Sequence, residues 1–175
     1  STILHTTDGG QIWTAQQSGT EESLWGVDML DESTGWACGL GGAIIFTNDG
    51  GLSWTEQNSG TDQAIQDIGF ANESRGWAVG NLGQILYTNN GGENWILQDS
   101  TDVRFMAVSA VDESNVWAVG DWGQINYSNN GGDEWNFQMH GTRHPFLDVF
   151  CINENEAWVA GLEGLILKTE DAGEN

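Results

Sequence analysis

The sequence predicts an all-β chain and, within that class, a β-propeller built from four-stranded blades. Two observations predict it: a motif that returns about every 41 residues, and four short strand-like runs inside each period. The motif reads TTDGGQIW from Thr6 to Trp13, TNDGGLSW from Thr47 to Trp54, TNNGGENW from Thr88 to Trp95 and SNNGGDEW from Ser128 to Trp135, and it begins again as TEDAGEN at Thr169. Its acidic or amide residue falls at Asp8, Asp49, Asn90, Asn130 and Asp171, spacings of 41, 41, 40 and 41 residues.

Within the first full repeat the runs are LWGVDML, GWACGL, AIIFT and LSWTEQ, between Leu24 and Gln57. They are β-branched or aromatic, four to seven residues long, and separated by Gly, Asp, Asn and Ser clusters, the mark of short strands joined by tight turns. The same plan follows as IQDIGF, GWAVG, QILYT and NWILQ, then FMAVSA, VWAVG, QINYS and EWNFQ, then FLDVF, AWVAG and LILKT. No window supports a helix. A lone four-stranded sheet leaves both faces bare, so such units are stable when packed face to face around an axis.

Counting strands gives one third strand too many, the N-terminal Ile3 to Thr7 duplicating Leu165 to Thr169. The expectation is one domain over residues 1–175, with repeats at about 20–60, 61–100, 101–141 and 142–175, the last completed by residues 9–19. Four blades would then close into a ring through strands from both termini, with one surplus N-terminal strand. Two chains sharing an eight-bladed ring, or an arc of a longer propeller, remain open at this stage.

Composition excludes several functions. Four Lys and Arg against 26 Asp and Glu give a formal charge of −22, which repels phosphate backbones and anionic membranes, so no nucleic-acid partner is expected. No apolar run approaches the roughly 20 residues that span a bilayer, and no membrane insertion is expected. An extracellular or periplasmic protein whose signal has been removed is the expectation for localisation. Cys38 and Cys151 are too few for a disulfide framework and read as buried thiols that could approach only if the ring closes.

The T-x-D-G-G-x-x-W unit resembles the Asp box of the BNR repeats in sialidase-like and sortilin-like propellers. With the preceding GWAVGxxGxIxxT segment it is closest to propellers of the photosystem II stability and assembly factor type. The resemblance implies that Asp8, Asp49, Asn90, Asn130 and Asp171 hold their own turns while Gly supplies positive φ. It further implies an assembly factor or chaperone as one role, and a carbohydrate-binding or glycosidase-like propeller as another.

Two Trp sets read as blade glue: Trp36, Trp77, Trp117 and Trp158 in the second strands, and Trp13, Trp54, Trp95 and Trp135 after the Gly-Gly turns. Trp25 and Trp122 have no counterpart in other repeats and, with Ile3, Leu4 and His5 of the surplus strand, are the candidate partner contacts. Aligned first strands place Gly26, Asp67, Ala107 and Asp148 at one position, so Asp67 and Asp148 would face each other across the axis and could hold Ca²⁺, no cofactor being required. The three arginines that a sialidase would need sit as Arg104 and Arg143 before first strands and Arg75 at the opposite end of a blade, so they should not converge. The expectation is a non-enzymatic structural or protein-interaction module whose partners include copies of itself, joined by strand addition.

Overall fold

The computed structural model describes residues 1–174; Asn175 lies outside them. Among the described residues, seventeen strands form five antiparallel sheets. A hairpin of β1 (Thr2–His5) and β2 (Thr14–Gln17) comes first. The first full blade contains β3 (Leu24–Met29), β4 (Gly35–Gly39), β5 (Ile44–Thr47) and β6 (Thr55–Gln57). The second contains β7 (Ile65–Phe70), β8 (Gly76–Gly80), β9 (Ile85–Thr88) and β10 (Ile96–Asp99). The third contains β11 (Phe105–Ala110), β12 (Val116–Gly120), β13 (Gln124–Ser128) and β14 (Asn136–Phe137). The fourth has three strands, β15 (Phe146–Cys151), β16 (Ala157–Gly161) and β17 (Ile166–Thr169).

Each blade meanders in sequence order, and successive blades touch along their first strands, β3 to β7 to β11 to β15. A bulge after the first residue of every first strand, as between Leu24 and Gly26, re-aims the strand at the axis. The core is therefore a series of layers between blades. The layer between the first and second blades joins Trp36 and Ile44 to Ile65, Ile68 and Phe70, with the Trp36 and Phe70 rings stacked at 3.5 Å. Trp77 and Trp117 occupy the next two layers. At about 25 cal/mol per Å² and 150–250 Å² per ring, each buried indole supplies on the order of 4–6 kcal/mol before ordering entropy is subtracted.

The fold class is that of the sequence reading, but the seam differs. Thr14–Gln17, expected to complete the last blade, pairs instead with Thr2–His5, and the last sheet stops at three strands among the described residues. The physical reason is loop entropy. The Asp-box turn joins β1 to β2 through eight residues, whereas pairing β2 with β17 must bring together residues separated by most of the chain. The blades accordingly form an arc, and the N-terminal strand is half of a hairpin rather than a loose surplus.

The seam also decides two aromatic positions. Trp13 and Trp158, expected between blades, are 57% and 42% exposed, because each faces a side of the arc where no blade is stacked among the described residues.

Candidate interaction surfaces

The Asp-box turns are self-contained. In the first full blade Thr47 Oγ1 donates to Asp49 Oδ1 and accepts from the Gly51 amide at 2.9 Å, while Asp49 Oδ1 accepts the Ser53 amide. Asn90 and Asn130 accept the Asn94 and Glu134 amides in the same way, and Asp8 accepts that of Ile12. These hydrogen bonds hold the Asp49 carboxyl below its ordinary range, the Ser53 hydroxyl contributing most. Its oxygens are spent on the turn.

A second device, unrecognised in the sequence, links neighbouring blades. The last strand of each unit carries a Gln whose Nε2 donates to a Gly-Gly turn one repeat later: Gln16 to Gly50 O at 3.0 Å, Gln57 to Gly91 O at 2.8 Å and Gln98 to Gly131 O at 2.9 Å. Here the second Gly is required twice over. Gly92 has φ 89°, and a Cβ there would lie 2.0 Å from Gln57 Oε1. The signal was present as Gln16, Gln57, Gln98 and Gln138, one repeat apart, but amides read as surface until their partners are seen.

Around the axis, polar side chains on first strands cap amides of the next blade. Asp28 accepts the Phe70 amide at 2.7 Å, Asp67 that of Val108 at 3.0 Å, and Ser109 that of Cys151 at 3.2 Å. Burial pushes the Asp67 carboxyl up to about 6, helped by the Asp148 and Asp28 charges and opposed by the Val108 and Ile68 amides. Burial raises Asp28 as well. Asp148 Oδ1 accepts its own neighbour's amide, Val149. The pair proposed as Ca²⁺ ligands thus has backbone partners, and among the described residues no group of three His, Cys, Asp or Glu is placed to hold a metal ion. Cys38 is buried and Cys151 half-buried, both as free thiols in different layers.

The two ends of the strands present unlike faces. Where first strands finish, the turns Asp31–Thr34, Asn72–Arg75, Asp112–Asn115 and Asn153–Glu156 are acidic, and the first residue of each caps its own loop, as Asp31 Oδ1 does for the Ser33 and Thr34 amides. Arg75 on this face pairs with Glu113 at 3.4 Å. Where first strands begin, each blade instead carries a short 3-10 corner whose amide bonds to the residue before the first strand: Leu40 to Ser23, Asn81 to Ala64, Asp121 to Arg104 and Leu162 to Pro145. Arg104, paired with Asp121 at 3.1 Å, lies here, as does Arg143 in the loop before β15. The three arginines are therefore divided between opposite faces.

The corner face exposes apolar side chains. Trp122 is 73% and Trp25 49% exposed, accompanied by Leu40, Leu82 and Leu162. Trp122 also sits at φ 58°, the position that Gly41 occupies two blades earlier and that Leu82 and Glu163 share. A left-handed conformation costs a non-glycine residue about 1 kcal/mol or more. Ile3 is half-buried in the N-terminal hairpin, while Leu4 and His5 are exposed along it.

Solved structures share this fold at low identity. A structure described as YCF48 bound to D1 peptide aligns with TM-score 0.67 and 16% identity, over 93% of this chain and 82% of that one. YCF48 from Cyanidioschyzon merolae aligns with TM-score 0.69 and 20% identity, over 85% of this chain and 53% of that one. A GH74 enzyme from Niastella koreensis gives TM-score 0.74 and 17% identity over 99% of this chain, which spans only 33% of the enzyme. No curated protein matches the sequence. Sequence carries the assignment further than shape does, because the family described as photosynthesis system II assembly factor YCF48 matches residues 11–97, 52–145 and 96–175. Repeat, turn chemistry and blade order agree with that match, and the chain belongs to the YCF48-type family of BNR-repeat propellers.

Proposed function

We propose that this chain is a non-enzymatic propeller that docks protein partners on its corner face and associates with copies of itself through strand edges. The observation that carries the docking reading is Trp122, a large apolar ring held out in solvent on a strained backbone position. Burial would reward such a ring, and exposure alone gives it no stabilising role. Aromatic residues of this kind anchor interfaces, and Trp25 and Leu82 extend the apolar surface on the same face. The relative solved with a D1 peptide is a protein that holds a polypeptide segment, which supports protein as the partner class here. The non-enzymatic reading is supported by the use of the carboxylates: Asp28 and Asp67 cap amides of the next blade, and the box acids hold turns.

The test is retention of polypeptide from an extract of the source cells on immobilised protein. Wild-type chain is expected to retain a polypeptide that the double variant Trp25→Ala, Trp122→Ala releases. Recovery of a reaction-centre subunit would specify an assembly-factor role. Equal retention by both proteins, or glycan hydrolysis by the purified chain, overturns the proposal.

A further inference from the structure

Between the first and second full blades a cleft of about 580 Å³ opens on the acidic face, lined by Thr34, Phe46, Asn48, Glu73, Gly91 and Glu93. Both blades have all four strands, so the cleft belongs to the contact between repeats and not to either end of the chain. The two later interfaces fill the same place with their own side chains. In the next one, Arg75 Nη1 donates to Glu113 O at 3.1 Å and Nε pairs with the Glu113 carboxylate at 3.4 Å, while Asn72 Nδ2 donates to that carboxylate at 2.9 Å. In the last, Asn115 stands in the Arg75 position, and Tyr127 Oη hydrogen-bonds its side chain at 2.6 Å and lies 3.4 Å from Glu154 O.

The backbone around the cleft matches that around Arg75. Asp31 Oδ1 accepts the Thr34 amide at 2.8 Å, as Asn72 Oδ1 accepts that of Arg75 at 2.9 Å. The Gly91 amide donates to Ser74 O at 2.8 Å and the Gly131 amide to Ser114 O at 2.9 Å. A Cβ on Gly91 would lie 2.9 Å from Glu73 O, and one on Gly131 would lie 2.9 Å from Glu113 O and 3.7 Å from the Arg75 guanidinium. Only the side chains differ. Thr34 stands for Arg75, Phe46 for Tyr87 and Tyr127, and Asp31 for Asn72. None of the three brings a donor to Glu73, whose side chain has no hydrogen bond or ion pair among the described residues. The chain's own cations are placed elsewhere: Arg75, Arg104 and Lys168 are paired with Glu113, Asp121 and Glu156, and Arg143 lies on the corner face.

We infer that the cleft is a binding site for an arginine side chain of a partner polypeptide, whose guanidinium meets Glu73 O and the Glu73 carboxylate as Arg75 meets those of Glu113. A guanidinium presents several N–H groups in one planar fork, which suits a carbonyl beside a carboxylate better than the compact ammonium of lysine does. Glu93 adds a second negative charge to the lining, and Phe46 an aromatic wall. The site lies on the face opposite Trp122, so it stands or falls apart from docking there.

Titration of isotope-labelled protein with the capped peptide Gly-Arg-Gly, and with its lysine and citrulline counterparts, tests the site through amide NMR shifts. The arginine peptide is expected to move the amides of Thr34, Glu73 and Gly91, the lysine peptide to bind more weakly, and the neutral citrulline peptide to leave them in place. Glu73→Gln should weaken binding about three- to fivefold. Thr34→Arg should abolish it, because it brings into this interface the side chain that fills the next one. Asp133→Asn makes the same charge change at an exposed position of the next interface and should bind as wild type does. Absence of shifts, equal binding of the lysine or citrulline peptide, or undiminished binding by Thr34→Arg overturns the site and leaves only the general attraction of an acidic surface for cations.

Discussion

Trp77 and Trp158 occupy the same place in the repeat, each the second residue of a second strand, yet one has no exposed surface and the other is 42% exposed. The same contrast separates Trp95, packed against the Trp36 layer, from Trp13 at the start of the chain. Equivalent repeat positions produce a core residue in the middle of the arc and a surface residue at its flanks. In a stacked repeat the neighbour supplies the burial, and stability is a sum of blade and interface terms.

The largest test of that contrast is a pair of substitutions. Trp77→Ala should cost about 3–5 kcal/mol, since it opens a cavity in a layer that also holds Phe105 and Val116. Trp158→Ala should cost roughly 1 kcal/mol or less, because its ring is 42% exposed and lies under Lys168 rather than under a further blade. Urea unfolding followed by tryptophan fluorescence measures both. Equal costs would break the contrast and show that the Trp158 flank is covered in solution.

The Gln contacts between blades offer a smaller version of the same comparison. Gln57→Ala removes a hydrogen bond to Gly91 and the acceptor of the Trp95 indole, and is expected to cost about 1–2 kcal/mol. Gln16→Ala removes only the bond to Gly50, at the edge of the arc, and should cost less than half as much. A larger loss at Gln16 would mean that the N-terminal hairpin holds the first blade together rather than leaning on it.

Much of this was legible in the sequence because it is local. The Asp-box turns are built from residues within six positions of one another, and the four-strand period follows from alternating apolar runs and turn residues. What sequence could not show depends on contacts one repeat away. Asp28, Ser109 and the Gln series look like surface polar residues until the next blade places an amide or a carbonyl opposite them. The aligned first strands place Asp67 at the axis, but nothing in its own segment shows that its Oδ2 accepts the Val108 amide of the next blade. The seam was misjudged for the same reason, since strand counting balances pairs without weighing the entropy of bringing both termini together.

The finest distinction lies between two aspartates, one in an interior layer and one in an exposed turn. Hydrogen bonds lower the folded-state pKa of Asp49, so its contribution is present above the unfolded value near 3.8 and is lost as pH falls through the folded value. Burial raises Asp67 to about 6, and the sign reverses. Between roughly pH 4 and 6 the folded state holds a proton at Asp67 that the unfolded state has released, so stability from this group declines as pH rises and levels off above about 6. Asp67→Asn keeps an acceptor for the Val108 amide but removes the charge. The variant should therefore gain on wild type across that window, by a few degrees of Tm at most, with little difference near pH 4. Asp49→Asn, whose substitute is already tolerated at Asn90 and Asn130, should instead lose ground relative to wild type as pH rises from 3 to 5. Thermal melts of both variants over pH 3–8 separate the two cases, and parallel curves would mean that Asp67 is solvated through the axial opening rather than buried between blades.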